Sequence, residues 1–187
     1  MARDFSINAN DLAGVADAIR TGGKKAQESI VKAMNVGIEK ARIEQSEYIA
    51  DRYELSPAYV ESRLKTNPAT VASPKASIVA RDRRTQARRF KHSQKWTRGK
   101  TVPKKRAGID IKFKRQGQSF LFKRAFYMDL KNGNQGIAVR TGPGKRDIQI
   151  LYSTSVASAF RWARDESDLV ARTNDFIKTE FFRYLGG

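Results

Sequence analysis

From Lys24 to Tyr53 the chain has no proline and a single glycine, Gly37. Ala26, Ile30, Ala33, Met34, Gly37, Ile38 and Ala41 recur there at helical spacing, with charged residues between them. That period buries one face of an α-helix and cannot line one face of a strand. It predicts the longest helix of the chain, about eight turns at 3.6 residues per turn. The stripe Ala33, Gly37 and Ala41 is small enough for another element to approach closely. It is expected either to pack in the core or to serve as an oligomer interface.

Elements on either side follow from their punctuation. Asn10 or Asp11 can cap a short helix carrying Leu12, Val15 and Ile19, and Thr21-Gly22-Gly23 ends it. Ser56 followed by Pro57 starts another short helix through Leu64, closed by Asn67-Pro68. Beyond this the apolar period drops to two. Ser77–Ala80, Ile109–Phe113, Ser119–Phe122, Gly136–Val139 and Ile148–Leu151 read as strands. Asn132-Gly133-Asn134 and Gly142-Pro143-Gly144 are turns between strands. Helical spacing returns through Val156, Phe160, Leu169, Ile177 and Phe181, as two helices. Helices, then strands, then helices predict an α+β fold, with a long N-terminal helix packed on a mainly antiparallel sheet and helices at the C-terminus. One domain over 1–187 is expected, with a helical region (1–68), a strand-rich region (69–152) and C-terminal helices (153–187).

Charge is unevenly spread. The chain carries 37 Lys and Arg against 19 Asp and Glu, a net +18. Residues 81–115 hold fifteen of the cations and two aspartates, which supplies +13 of that excess. Such a density calls for a polyanionic partner. The expected contacts are Arg81, Arg83, Arg84, Arg88, Arg89, Lys91, Lys95, Arg98, Lys100, Lys104, Lys105 and Arg106. Phe90 and Trp96 are interleaved as surfaces able to stack on bases. Between Arg88 and Arg106 apolar residues are few and Gly99 and Pro103 occur, so the segment reads as an extended basic loop or a poorly packed hairpin. On that reading, reversing Arg83, Arg84, Arg88 and Arg89 should leave the fold intact.

Catalytic chemistry finds little to build on. With no cysteine and one histidine, His92, disulfides, thiolate metal sites and a histidine-based triad are ruled out. His92 reads as an ordinary loop residue. Asp110-Ile111-Lys112 matches the acid-x-lysine half of a metal-dependent nuclease strand, but alternation already accounts for it: Ile109, Ile111 and Phe113 face inward while Asp110, Lys112 and Lys114 face water. Gly142-Pro143-Gly144-Lys145 lacks the spacing of a phosphate loop. No cofactor and no metal are expected, and the chain reads as non-enzymatic. No apolar run approaches the ~20 residues of a membrane span, and the N-terminus has no apolar signal-peptide core. A cytosolic site of synthesis and no membrane partner are therefore expected.

Several segments carry a family resemblance in order. They are Lys32-Ala33-Met34-Asn35, Tyr59–Leu64, Ala76–Arg81, the long run Arg124–Arg140, and Ile150–Val156. Together they resemble the minor tail protein Z family of phages, the tail-completion proteins of lambda-like siphophages, over about residues 25–165. The chain departs from the family pattern at Ser153-Thr154, where Gly-Pro is usual. The resemblance implies a virion protein made in the host cytoplasm that acts late in tail assembly, at the head-proximal end or neck. It implies homo-oligomers, commonly hexameric rings in related neck proteins. The implied partners are a tail terminator or tail tube protein, head–tail connector proteins, and double-stranded DNA in the channel. No catalytic residues come with it. The alternative on the residues alone is a phage-encoded non-specific nucleic-acid-binding protein.

Overall fold

The computed structural model describes residues 3–12, 14–98 and 104–186. The fold is α+β, with a long N-terminal helix, C-terminal helices and several antiparallel sheets. The chain forms two compact units. One is Met1–Ile49, Pro57–Asp82 and Val156–Gly187; the other is Ala50–Ser56 and Arg83–Ser155.

In the first unit, β1 (Arg3–Asn8) and β2 (Leu64–Asn67) flank β3 (Lys75–Ala80), both antiparallel to it. Period-two patterning puts Phe5, Ile7, Leu64, Ala76, Ile78 and Ala80 on one buried face. The long helix α1 (Val15–Arg52) contributes Ala26, Ile30, Ala33, Met34, Ile38, Ala41 and Ile49 to the core. Its backbone leaves helical geometry at Gly23 (φ 60°, ψ −144°), a conformation that glycine adopts without a Cβ penalty. The Thr21-Gly22-Gly23 stop therefore survives as a break between two helical stretches. What precedes it differs from expectation: Ala9–Asp11 form a 3-10 turn, and helix begins only at Val15.

α2 (Pro57–Glu61) starts at the expected proline but ends before Leu64, which already belongs to β2. The region expected to be helical up to Pro68 is thus mixed, since it holds β1 and β2. Each brings only two inward apolar or small positions, too few to register as a period. The C-terminal helices are α3 (Val156–Glu166) and α4 (Leu169–Gly186), burying Phe160, Leu169, Ile177 and Phe181. A Cβ at Gly37 would collide with Ile177 of α4, so glycine there permits the close helix approach.

A polar network ties α1 to α2 and β2. Arg42 reaches Glu39 and Glu61, each at 2.8 Å, and the Thr66 hydroxyl donates to Glu39. That hydrogen bond does most to hold the Glu39 carboxyl below its ordinary value of 4.5; burial opposes it, and Arg42 adds a hydrogen bond and charge. A carboxylate with a depressed folded-state pKa stabilises the protein above its unfolded pKa, and that stability is lost as pH falls through the folded value. Glu39→Gln should therefore lose stability less steeply than the parent protein below about pH 4.5. Urea midpoints measured from pH 6 to pH 3 check this; parallel curves for the two proteins would contradict it.

Among its described residues, the regular elements of the second unit are strands, apart from the end of α1 and a 3-10 turn at Ala87–Arg89. β5 (Lys91–Thr97), β6 (Lys105–Lys112) and β7 (Phe120–Phe122) make one antiparallel sheet in the order β5-β6-β7. β8 (Ala125–Asp129), β9 (Gln135–Arg140) and β10 (Ile148–Ile150) make a second, in the order β10-β9-β8. β4 (Arg84–Gln86) pairs with β11 (Tyr152–Ser155). The β8–β9 turn is closed by Leu130 N–H to the Asn134 carbonyl at 2.8 Å, with Gly133 at φ 75°. Ser153-Thr154 lies on β11, where the pairing register shifts. Tyr53 bridges to Lys114, and Arg115 bonds Asp51 at 2.9 Å, which fastens the chain after α1 to the end of β6.

The core of this unit is Phe90, Ile109, Ile111, Ile137 and Ala138. Phe90 meets Phe113 edge-on at 5.1 Å between ring centres. Within Arg88–Arg106 the described residues form the β5–β6 hairpin rather than an extended loop, and Phe90 is core rather than a base-stacking surface. Of the two forms expected, the hairpin is the one found; the strand was hard to read because β5, Lys-His-Ser-Gln-Lys-Trp-Thr, has almost no apolar residue on either face and is held by its ladder to β6.

Candidate polyanion-binding surface

The β5–β6 ladder pairs Lys91 with Lys112, His92 with Ile111, Ser93 with Asp110, Gln94 with Ile109 and Lys95 with Gly108. Directly opposed residues share a face. His92 and Gln94 thus lie on the inner face with Ile109 and Ile111. Lys91, Lys95, Asp110 and Lys112 lie on the outer one. Much of that outer charge is compensated, since Lys95 pairs with Asp110 at 3.8 Å and Lys112 with Glu54 at 3.6 Å.

Past Lys95 the register shifts. Trp96 faces Arg106 and Thr97 faces Lys105, which leaves Ala107 as an extra residue on β6. Gly108, at φ +132°, sits so close to the Phe122 carbonyl and Lys123 that a Cβ would collide with both. β7 pairs only with Ile109–Ile111, so beyond Gly108 the hairpin continues as two strands without a third. Lys95–Arg98 and Lys104–Arg106 are all exposed, with Trp96 53% accessible. Arg98, Lys104, Lys105 and Arg106 make no ion pair among the described residues. Charge at this end is concentrated and unneutralised.

The remaining predicted contacts divide differently. Arg81 belongs to the first unit, where its N–H bonds the Arg63 carbonyl at 3.2 Å. Arg83, Arg84, Arg89 and Lys91 are exposed in the second unit. Arg88 is half-buried and engaged within its own unit: Nη1 lies 2.6 Å from His92 Nε2, and the guanidinium lies 5.7 Å from the centre of the Tyr127 ring. It is a packing residue, not an open contact, so reversing it with Arg83, Arg84 and Arg89 should cost stability as well as charge, and the fourfold change is a poor test of charge alone. Lys100 lies outside the described residues.

His92 is a strand residue rather than a loop residue. Its Nδ1 is 2.7 Å from the Phe90 carbonyl oxygen. A carbonyl only accepts and a guanidinium only donates, so in the neutral ring Nδ1 carries the proton and Nε2 receives Arg88. Sequence reasoning missed this Arg88–His92–Tyr127 cluster, whose members are joined only by strand pairing and packing.

The small stripe on α1 also needs correcting as an oligomer interface. Ala33 and Ala41 are buried, and Gly37 is covered by Ile177 of the same chain. The large apolar residues that α1 leaves exposed are Val36 and Ile43.

Asp110 stands half-buried beside Lys95. Among the described residues no three His, Cys, Asp or Glu side chains come together as metal ligands. No described helix is long and apolar enough to cross a membrane. No protein-family model, curated protein or solved structure matches the chain.

Proposed function

We propose that this chain is a structural, non-enzymatic virion protein that completes a phage tail at its head-proximal end and helps form the head–tail neck. It works there as a homo-oligomeric ring around the DNA channel, next to a tail terminator or tube protein and the connector. Two supports stand behind this reading. One is the ordered resemblance to the minor tail protein Z family, whose longest segment, Arg124–Arg140, covers the β8–β9 hairpin. The other carries it furthest: the end of the β5–β6 hairpin bears exposed cations and no carboxylate, which is the surface of a protein held against a polyanion. Contacts between copies use residues other than Ala33, Gly37 and Ala41, and Val36 and Ile43 are the apolar positions on α1 open to them.

A second reading, a free nucleic-acid-binding protein of the same phage, is favoured by one observation, the exposed Trp96 within the basic hairpin. Deleting the gene and supplying the chain in trans separates the two. A tail-completion protein leaves filled heads and unjoined tails when absent, and joining returns when it is added to the extract. A free DNA-binding protein leaves defects in the DNA or its packaging, with tails joining normally.

A further inference from the structure

We propose that the two-stranded end of the β5–β6 hairpin is a ribbon that enters a groove of double-stranded DNA, with Trp96 against the bases and the surrounding cations on the phosphates. The inference rests on the reading that this segment holds a polyanion, and it names which one.

Four observations lead there. The ribbon outlives its sheet, because β7 stops at the residue paired with Ile109 and Gly108 closes against Phe122 and Lys123. Both of its faces are exposed: Trp96 and Arg106 share one, Thr97 and Lys105 the other, with Lys95 on the same side as Thr97. No carboxylate occurs anywhere from Arg83 to Ile109. Trp96, one of two tryptophans in the chain, sits more than half exposed amid this charge. Folding accounts for none of these, since an isolated two-stranded ribbon with no buried face is marginal in water.

The geometry selects among polyanions. A surface that lies on an acidic protein needs cations on one face only. A ribbon charged on both faces suits a groove whose two walls are lined with phosphates, and the major groove, about 12 Å wide, admits a two-stranded ribbon. Single-stranded binders stack successive bases on several aromatics. Trp96 is the sole exposed aromatic on the ribbon's described residues, which disfavours that mode. Base-specific reading is not implied; the contacts are to phosphates and, through the Trp96 ring, to the base edges and thymine methyls that line the groove floor.

The test uses the full chain with Trp162→Phe, so that Trp96 is the remaining tryptophan, titrated with a mixed-sequence 20-base-pair duplex. Trp96 fluorescence should be quenched on binding. With about five phosphate contacts the affinity should fall on the order of 500-fold between 50 and 200 mM salt. Trp96→Ala should weaken duplex binding roughly 5-fold, through the lost apolar contact with the groove floor. Replacing Lys95, Arg98, Lys104, Lys105 and Arg106 with glutamine should remove most of the salt dependence at unchanged circular dichroism. Tighter binding of a single strand than of the duplex would overturn the groove assignment. Equal binding of polyglutamate without quenching would assign the ribbon to an acidic protein; the polyanion reading would then stand and this inference would fail. A glutamine variant that keeps the parent's salt slope would move the contact elsewhere on the protein and sink both.

Discussion

Changing Lys95, Arg98, Lys104, Lys105 and Arg106 to glutamate together is expected to lower the yield of infectious particles at least a hundredfold, while the protein stays folded. The size of the effect comes from its being collective. One exposed ion pair is worth only ~0–1 kcal/mol, so any single replacement among the five should cost less than about fivefold. Reversing all five turns attraction into repulsion along the whole ribbon, and like charges brought against a polyanion are penalised at every contact. The fold should survive because none of the five side chains is buried, and Lys95 alone among them has a described ion-pair partner, Asp110. Complementation of a deleted gene by the variant gives the joining yield, and circular dichroism with a urea midpoint gives the folding control. A folded variant that joins heads to tails at the normal yield would mean that this charge is solvated surface.

Phe90→Ala should have the largest effect on stability. Phe90 is 2% exposed and packs edge-on against Phe113, so its loss removes both apolar burial and an aromatic contact. Buried Phe-to-Ala changes cost about 3–5 kcal/mol because the surrounding side chains close only part of the cavity. Urea unfolding measures the total. Amide exchange should show lost protection in β5, β6 and β9, whose Ile109, Ile111 and Ile137 form the same core. A loss below about 1 kcal/mol would return Phe90 to the surface role that its basic neighbours suggest.

These two residue sets show where the sequence was readable. α1, α3 and α4 carry their apolar residues at a period that only a helix can bury, and Pro57 and Gly23 mark boundaries by backbone chemistry alone. β6 is legible for the same reason, since Ile109 and Ile111 alternate with Asp110 and Lys112. β5 is not: its inward residues are His92 and Gln94, and only the ladder to β6 makes it a strand. Phe90 looked like an aromatic in a charge run because burial is decided by residues far along the chain. The Ala33–Gly37–Ala41 stripe announced a close approach correctly, but nothing local could say that the neighbour is Ile177 of the same chain. The ribbon was visible as charge and hidden as shape, since the end of β7 and the register shift at Ala107 are properties of pairing.

The measurement that bears most directly on the proposed tail-completion role is imaging of the phage particles in which that proposal expects the chain, at a resolution that traces α1 and the β5–β6 hairpin. The expected result is a closed ring of copies at the head-proximal end of the tail, with Trp96 and Arg106 of each copy turned toward the DNA in the channel. Particles that join and infect normally while containing no copy of the chain would contradict it.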